Sequence, residues 1–258
     1  MTEASEAGVL LVDKPAGKTS FAMVKVLRRL TGIRKIGHAG TLDPFATGLL
    51  VVCLGRSATR MIADFMDGEK EYLATLELGR VSTTQDPEGD ISNGAEQPDY
   101  PAEVIDAVLE RFRGSIMQKP PAYSALKHKG RPLYHYARQG ISIDKSPREV
   151  VIHHLEWLDR RSVVDSASPE MRLRVRCGKG TYIRALAEDI GQALGCGAYL
   201  TALRRTGSGF FSIEDSLPGM DLYNDGATAI VQSRLIRLEN VRKLLQKDDG
   251  MDTMARSS

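Results

Sequence analysis

The chain has 258 residues, 42% hydrophobic and 26% charged, a composition typical of a folded protein that buries a core without a metal or disulfide staple. Cys53, Cys177 and Cys196 lie far apart, which argues against a zinc site or a disulfide framework and favours a reducing cytosol. The first residues lack a signal-peptide pattern and the apolar runs are shorter than the ~20 residues of a membrane helix, so we expect a cytoplasmic protein.

The first predicted elements are a strand, a helix and a loop. Residues 9–12 are apolar and end at a turn, which predicts a buried strand. A helix follows, with Ser20 as its N-cap and Gly32 at its end. Its apolar face is predicted to hold Phe21, Val24, Leu27 and Leu30. Residues 33–48 are rich in glycine and are predicted to form a loop, and a strand at 49–54 and a helix at 57–66 come next.

The later elements continue this mixture of strands and helices. Strands are predicted at 72–78, 172–176, 199–203 and 210–213, and helices at 101–112 and 181–194. They do not follow a regular βαβ repeat, so the pattern favours an α+β fold over a doubly wound sheet. One more helix is expected after about residue 234, and the charged tail at 247–258 is expected to be disordered.

Positive charge is concentrated in two segments although the net charge is only +2. Residues 119–148 hold seven Lys or Arg against one acid, with three tyrosines and two histidines among them. Residues 172–184 hold five more basic residues and no acid. Such clusters suit phosphate binding, and tyrosines can stack on unpaired bases. Each cluster alone is equally compatible with a solvated surface.

One glycine-rich loop is the strongest candidate for chemistry. It reads Gly37-His38-Ala39-Gly40-Thr41-Leu42-Asp43-Pro44-Phe45-Ala46-Thr47-Gly48. Asp43 stands between apolar neighbours, where a carboxylate can act as a nucleophile or a general base. On physical grounds alone, an aspartate in such a loop is more often a turn former than a catalyst.

This loop closely resembles the active-site loop of the tRNA pseudouridine synthase B (TruB) family. Other segments resemble the same family in the same order, over roughly residues 9–215. They are Asp13-Lys14-Pro15-x-Gly17-x-Thr19-Ser20, Lys70-Glu71-Tyr72, Cys177-Gly-Lys-Gly-Thr-Tyr182-Ile-Arg184 and Leu203-Arg-Arg-Thr206-x-x-Gly209. The segment that begins Pro120-Pro-Ala-Tyr-Ser-Ala-Leu-Lys127 resembles the family's RNA-binding thumb insertion.

The resemblance implies an α+β pseudouridine synthase fold with a mixed, largely antiparallel sheet flanked by helices. It implies a catalytic domain at 1–215, with the thumb at 118–148, and a short helical extension at 216–258. About 45 residues follow Ile213, so a full carboxyl-terminal PUA domain is not expected.

The resemblance also implies roles for individual residues. Asp43 attacks the target nucleotide, and Arg184 forms an ion pair that keeps Asp43 ionised. Tyr72 stacks on the flipped base. Without the resemblance, Tyr72 would be interpreted as a core aromatic and Arg184 as a surface helix residue.

Further residues are implied to bind the substrate. Tyr182 and Leu203 line the pocket, and His38 fills the gap that the extruded base leaves. Lys14 supports the loop or contacts phosphate, and Lys127 and Arg131 belong to the basic thumb. Asp86 is interpreted as a turn residue, for which a structural role is favoured.

The implied reaction converts uridine 55 in the T loop of tRNA to pseudouridine by base flipping, with no cofactor or metal. The T arm of tRNA is the expected partner, and we expect a monomer. Three alternatives stay open: a guide-RNA-dependent synthase that acts on ribosomal RNA, a non-catalytic RNA-binding or RNA-folding protein on the same scaffold, and a metal-dependent hydrolase. The hydrolase is disfavoured because the sequence lacks a His/Asp cluster at ligand spacing.

Overall fold

The computed structural model describes residues 7–124, 126–141 and 143–255, with side chains to residue 246. The chain forms two compact units. The first unit joins Met1–Lys70 to Arg204–Ser258, and the second unit is Glu71–Leu203. The predicted division at residue 215 stays a prediction.

The elements of the described residues confirm the expected α+β class. The helices are α1 (Ser20–Thr31), α2 (Arg56–Thr59), α3 (Ile62–Asp67), α4 (Ala102–Glu110), α5 (Leu133–Ala137), α6 (Ile183–Leu194), α7 (Ala227–Arg234) and α8 (Leu238–Ala255). The strands are β1 (Gly8–Lys14), β2 (Ile36–Ala39), β3 (Thr47–Leu54), β4 (Lys70–Leu78), β5 (Arg80–Ser82), β6 (Ile91–Asn93), β7 (Tyr100–Pro101), β8 (Gly114–Gln118), β9 (Lys127–His128), β10 (Arg131–Pro132), β11 (Arg148–Trp157), β12 (Val163–Val164), β13 (Glu170–Cys177), β14 (Ala198–Ser208), β15 (Phe211–Ser212), β16 (Leu217–Pro218) and β17 (Ile236–Arg237).

The first unit is built on the pairing of β1 with β3. These strands are antiparallel over their length, from Gly8 opposite Leu54 to Lys14 opposite Gly48. β2 and β17 add antiparallel pairings, whereas β14 and β16 add parallel ones. The sheet is therefore mixed and largely antiparallel, as the sequence predicts.

Both faces of this sheet are buried, which explains why β1 and β3 are continuously apolar. Successive side chains of a strand point to opposite faces. Leu10 and Val12 pack with Met23 and Leu27 of α1 on one face. On the other face, the core holds Val9, Leu11, Leu49, Val51, Phe65, Phe211 and Val241.

Four predictions for the first unit are wrong in detail. Thr19, not Ser20, caps α1, because the Thr19 side chain accepts from the Ala22 amide at 3.0 Å. Phe21 lies on the outer side of α1 and is 50% exposed. The predicted loop at 33–48 contains β2. The predicted helix at 57–66 is instead two short helices, of which α2 buries Ala58 and α3 buries Phe65 in the same core. Gly32 ends α1, as predicted, and adopts the left-handed conformation.

The carboxyl-terminal segment completes the first unit. β16 pairs with β1 in parallel, and β17 pairs with β1 antiparallel. Val241 of α8 is fully buried in the core beside Val9 and Leu11, so this helix docks on the sheet. The predicted disordered tail begins inside α8, and its last residues, 256–258, lie outside the described residues.

The second unit contains a sheet in the strand order β4-β13-β11-β8. β11 is antiparallel to both β13 and β8. The sequence did not predict β11, because polar residues, including two histidines, interrupt its apolar alternation. In the predicted thumb insertion, β9 and β10 form a short hairpin that leads into α5.

Candidate active site

Asp43 lies in the loop between β2 and β3 of the first unit. Its side chain is half-buried, and Leu42 beside it is buried. A turn follows at once, in which the Ala46 amide donates to the Asp43 carbonyl at 3.2 Å. The loop thus holds a carboxylate at the border between core and solvent.

Ser20 fixes the backbone beside Asp43. Its hydroxyl accepts from the Leu42 amide at 2.9 Å and donates to the Leu42 carbonyl at 3.0 Å. Ser20 is buried at the first position of α1. Because Thr19 caps this helix, the Ser20 hydroxyl can serve the loop instead. The sequence placed Ser20 in a family segment but assigned it only a helix cap.

Lys14 supports the same loop from β1. Its ammonium donates to the carbonyls of Lys18 at 2.7 Å, Pro15 at 2.9 Å and Pro44 at 3.2 Å. Lys14 is 0% exposed. Of its two predicted roles, this geometry is that of loop support, and the predicted contact with RNA phosphate is wrong because it needs an exposed ammonium. The Gly17 amide also donates to the Pro44 carbonyl, at 2.8 Å.

Arg205 holds the two ends of the Asp43 loop together. Its guanidinium donates to the Leu49 carbonyl at 2.7 Å and to the Gly40 carbonyl at 3.1 Å, and the residue is 1% exposed. Gly48 permits this packing, because a Cβ there would lie 2.2 Å from the Arg205 carbonyl oxygen. The sequence missed this role, although Arg205 follows Leu203 in a family segment.

His38 lies on β2, next to the Asp43 loop, and is half-buried. Burial lowers its pKa below the usual value, and the nearby positive charge of Arg205 lowers the pKa further. A hydrogen bond with the Gly40 backbone opposes this shift in part. The imidazole is therefore neutral near pH 7, so His38 offers a neutral polar ring rather than a cation for phosphate.

The second unit holds Arg184 in a buried polar cluster. Arg184 is 4% exposed at the start of α6, so its interpretation as a surface helix residue is wrong. Its guanidinium forms an ion pair with Asp86 at 3.1 Å. It also donates to the carbonyls of Thr84 at 3.0 Å and Tyr123 at 2.7 Å.

Asp86 is the residue that sequence reasoning undervalued. It is 2% exposed, and its carboxylate accepts from the Thr84 hydroxyl at 2.5 Å and from the Glu88 amide at 3.0 Å. The turn that the sequence predicted is therefore present, and it aims this carboxylate at Arg184. The predicted pairing of Arg184 with Asp43 relates residues of different units and stays a prediction.

Gln118 fixes the start of α6. Its side-chain amide accepts from the Tyr182 amide at 2.8 Å and donates to the Tyr182 carbonyl at 3.1 Å. The Tyr182 ring lies under the guanidinium of Arg148, 5.2 Å from the ring centroid. Tyr72 is half-buried on β4, and Leu203 is 7% exposed on β14. Their predicted pocket roles stay predictions.

The segment predicted as the thumb, residues 118–148, is here called the basic insertion, and it presents cations to solvent. Lys127 and Arg131 are exposed on the β9–β10 hairpin. The Arg131 guanidinium lies 3.1 Å from Nε2 of His135. The Tyr136 hydroxyl donates to the His128 carbonyl at 3.0 Å, which fixes the hairpin on α5. These side chains are placed to meet an anionic partner.

Metal-binding clusters and membrane-spanning helices are absent from the described part of the chain. Over residues 7–124, 126–141 and 143–255, no group of three or more His, Cys, Asp or Glu side chains is arranged to hold a metal ion. Within the same ranges, every helix is too short or too polar to span a bilayer. Cys53, Cys177 and Cys196 are buried free thiols.

Residues 28–183 match the family described as TruB family pseudouridylate synthase (N terminal domain). Residues 184–248 match the tRNA pseudouridylate synthase B C-terminal domain. The tRNA pseudouridine synthase B of Desulfotalea psychrophila is 54% identical, over 93% of this chain and 97% of that protein. The enzyme of the same name from Chromobacterium violaceum is 50% identical, over 81% of this chain and 66% of that protein.

Solved structures show the same fold. A chain of a Cbf5–Nop10–Gar1 complex is 30% identical with a TM-score of 0.65, over 90% of this chain and 60% of that chain. A chain from an H/ACA RNP bound to a substrate RNA containing 2'-deoxyuridine is 30% identical with a TM-score of 0.59. That match covers 83% of this chain and 51% of that chain, so this chain spans only half to three-fifths of the two solved chains.

Proposed function

Because the chain belongs to the TruB family of pseudouridine synthases, we propose that it converts uridine 55 in the T loop of tRNA to pseudouridine, with Asp43 as nucleophile. The observation that carries the proposal is the construction of the Asp43 loop. Ser20, Lys14 and Arg205 hold its backbone at Leu42, Pro44, Gly40 and Leu49. A carboxylate fixed in this way loses little freedom when it attacks.

The reaction replaces the bond between ribose and N1 of uracil with a bond between ribose and C5. The Asp43 carboxylate forms a bond to the ribose carbon that carries the base, and the bond between that carbon and N1 breaks. The uracil turns in place, and its C5 forms a bond to the same carbon as the bond to Asp43 breaks and releases the carboxylate. The C5 proton then leaves and N1 takes up a proton, so atoms and electrons balance without a redox partner, a cofactor or net hydrolysis.

The second unit supplies the groups that the proposal assigns to base binding and charge control. Arg184 is assigned to keep Asp43 ionised, and the buried Asp86 carboxylate holds the Arg184 guanidinium in one orientation. Tyr72, Tyr182 and Leu203 of this unit are assigned to the pocket that receives the flipped base, whereas His38 of the first unit is assigned to the gap that the base leaves. Taking a base out of the stack costs a few kcal/mol, less in a loop than in a paired stem.

The basic insertion is assigned to the T arm. Lys127 and Arg131 are exposed and would contact phosphates, so they would bind through backbone and shape more than through base sequence. Binding is therefore expected to weaken steeply as salt is raised. The proposed active species is a monomer.

Pseudouridine mapping on an unmodified tRNA transcript tests the proposal. The purified protein is incubated with the transcript without guide RNA, with chelator, beside the Asp43→Asn variant. We expect the wild type to convert one T-loop uridine and the variant to bind the transcript without converting it. Conversion by the variant at the wild-type rate would exclude Asp43 as the nucleophile.

Other outcomes favour the alternatives. Conversion that appears only after guide RNA is added would favour a guide-dependent reaction, for which the likeness to a chain of an H/ACA RNP is the structural motive. Binding by wild type without conversion under any condition favours a non-catalytic RNA-binding protein. Conversion that occurs without chelator but is lost when chelator is present would favour metal chemistry.

A further inference from the structure

The outer side of α1 carries a basic stripe that the Asp43 loop does not use. Residues 14–42 hold seven Lys or Arg and no acid. Phe21, Lys25 and Arg28 are exposed on α1 at spacings of four and three residues, and Lys18 is exposed just before the N-cap of the helix. Because such spacings place residues on one side of a helix, Phe21, Lys25 and Arg28 form one row, and this row together with Lys18 is here called the α1 stripe.

The buried side of α1 shows that the stripe is not a packing surface. Met23, Val24 and Leu27 point into the core of the first unit. The stripe lies opposite, with Phe21 50% exposed. The Phe21 ring is therefore not part of the core of the first unit.

Phe21 organises two of the cations. The Lys25 ammonium lies 5.3 Å from the ring centroid, and the Arg28 guanidinium lies 5.6 Å from it. Lys18 lies over the Tyr223 ring at 5.6 Å. Within the residues whose side chains are described, none of these three cations forms an ion pair. The Arg28 guanidinium also donates to the neutral Ile36 carbonyl at 3.1 Å. The charges of these three residues are thus held in place and available to an anion.

The stripe begins at the Asp43 loop. The Gly17 amide donates to the Pro44 carbonyl, so Lys18 follows directly on a residue that contacts the loop. Ser20, at the first turn of α1, is bonded to Leu42. From Phe21 to Arg28 the helix then rises about 10 Å away from the loop. A strand whose nucleotide lies at Asp43 would therefore meet these cations as it leaves the loop.

We infer that Lys18, Lys25 and Arg28 form a second phosphate-binding surface, which holds the RNA backbone next to the target nucleotide. This inference rests on the proposed function. This surface differs from the basic insertion, because it lies on the first unit and begins at the Asp43 loop. It supplies affinity and leaves the bond exchange itself to Asp43.

The salt dependence of RNA binding tests the inference. The Lys25→Gln/Arg28→Gln variant is compared with Arg242→Gln/Lys243→Gln, which removes the same charge from exposed positions of α8 in the same unit. Because each phosphate contact contributes nearly one to the slope of log affinity against log salt, we expect the stripe variant to lose about two and the control to lose none. Affinity for a tRNA transcript at 0.15 M salt should fall about tenfold in the stripe variant.

Conversion assays distinguish a failure of this inference from a failure of the proposed function. The stripe variant should convert the same uridine at saturating enzyme with an unchanged single-turnover rate, whereas its KM rises. Lys25→Arg/Arg28→Lys should restore both the slope and the KM. An unchanged slope in the stripe variant, or an equal loss in the α8 control, would overturn the inference. If the wild type itself converts no uridine, the proposed function fails, and the slope still reports whether the stripe binds RNA.

Discussion

Arg184 and Asp86 form an ion pair inside the second unit, with 3.1 Å between Nη1 and Oδ2 and side chains that are 5% and 3% exposed. The backbone carbonyls of Thr84 and Tyr123 also accept hydrogen bonds from the guanidinium. A buried charge that loses its partner is costly, whereas a well-packed apolar pair can replace both charges at little cost. Replacing one charge and replacing both charges therefore differ in their effect on stability. Comparing the two kinds of variant separates the contribution of the pair to folding from its contribution to catalysis.

Asp86→Asn should destabilise the protein and slow the reaction. We expect the free energy of unfolding to fall by roughly 3 kcal/mol, and single-turnover conversion of the tRNA transcript to slow more than tenfold. The double variant Asp86→Leu/Arg184→Met should recover most of the stability in urea unfolding at pH 7 but no activity. A single Asn variant with wild-type stability and rate would show that the ion pair serves neither purpose.

The sequence predicts the core of the first unit well, because the patterns that specify this core lie within single strands and helices. The apolar runs of β1 and β3 are continuous since both faces of that sheet are buried. The spacing of Met23, Val24 and Leu27 places them on the inner side of α1. Phe21 was predicted wrongly because an apolar side chain at helical spacing is normally a core residue, and only the structure shows that it lies among cations.

The candidate site was predicted only in part, because its supporting contacts join distant segments. The family segments identify Asp43, but the bonds of Arg205 to Gly40 and Leu49 connect β14 to the ends of a loop far earlier in the chain. Asp86 has the local pattern of a turn residue, and its turn is indeed present. Nothing in that pattern shows that its second carboxylate oxygen meets Arg184.

Ser20→Ala should loosen the Asp43 loop. Both bonds of the Ser20 hydroxyl go to the Leu42 backbone, so their loss should lower the free energy of unfolding by about 2 kcal/mol and reduce kcat several-fold, with little change in KM. Thr19→Ala is the matched control, because it removes the helix cap at a cost of about 1 kcal/mol without touching the loop. Equal effects of the two variants on kcat would contradict the assigned role of Ser20.

Gly48→Ala should be far more damaging than a similar change at another glycine. Gly48 has φ +104°, and its new Cβ would lie 2.2 Å from the Arg205 carbonyl oxygen. Left-handed strain costs about 1–2 kcal/mol and forced overpacking about 1–3 kcal/mol more. Gly32 has φ +70° and open space around it, so Gly32→Ala should show the strain alone. Urea unfolding of both variants measures the difference, and equal losses would contradict the close approach at Gly48.

Asp189→Asn should stabilise the protein at neutral pH. Burial, which is the larger cause, and the negative charge of Glu188 together raise the pKa of Asp189 from 3.8 to about 6. A carboxyl whose pKa is raised on folding destabilises the folded state as pH rises through the window from about 4 to 6, because the unfolded chain releases its proton first. The full shift corresponds to about 3 kcal/mol, but Asp189 is half-exposed, and solvent screening reduces the expected gain to about 1 kcal/mol.

The gain from Asp189→Asn should be present at pH 7 and absent at pH 4, where the wild-type carboxyl is protonated in the folded protein. Urea unfolding of wild type and variant at both pH values measures it. Asp225→Asn, which neutralises an exposed carboxyl of the other unit, controls for the change in net charge and should alter stability little at either pH. A gain for Asp189→Asn that is equal at pH 4 and pH 7 would mean that packing of the new amide, and not removal of a buried charge, stabilises α6.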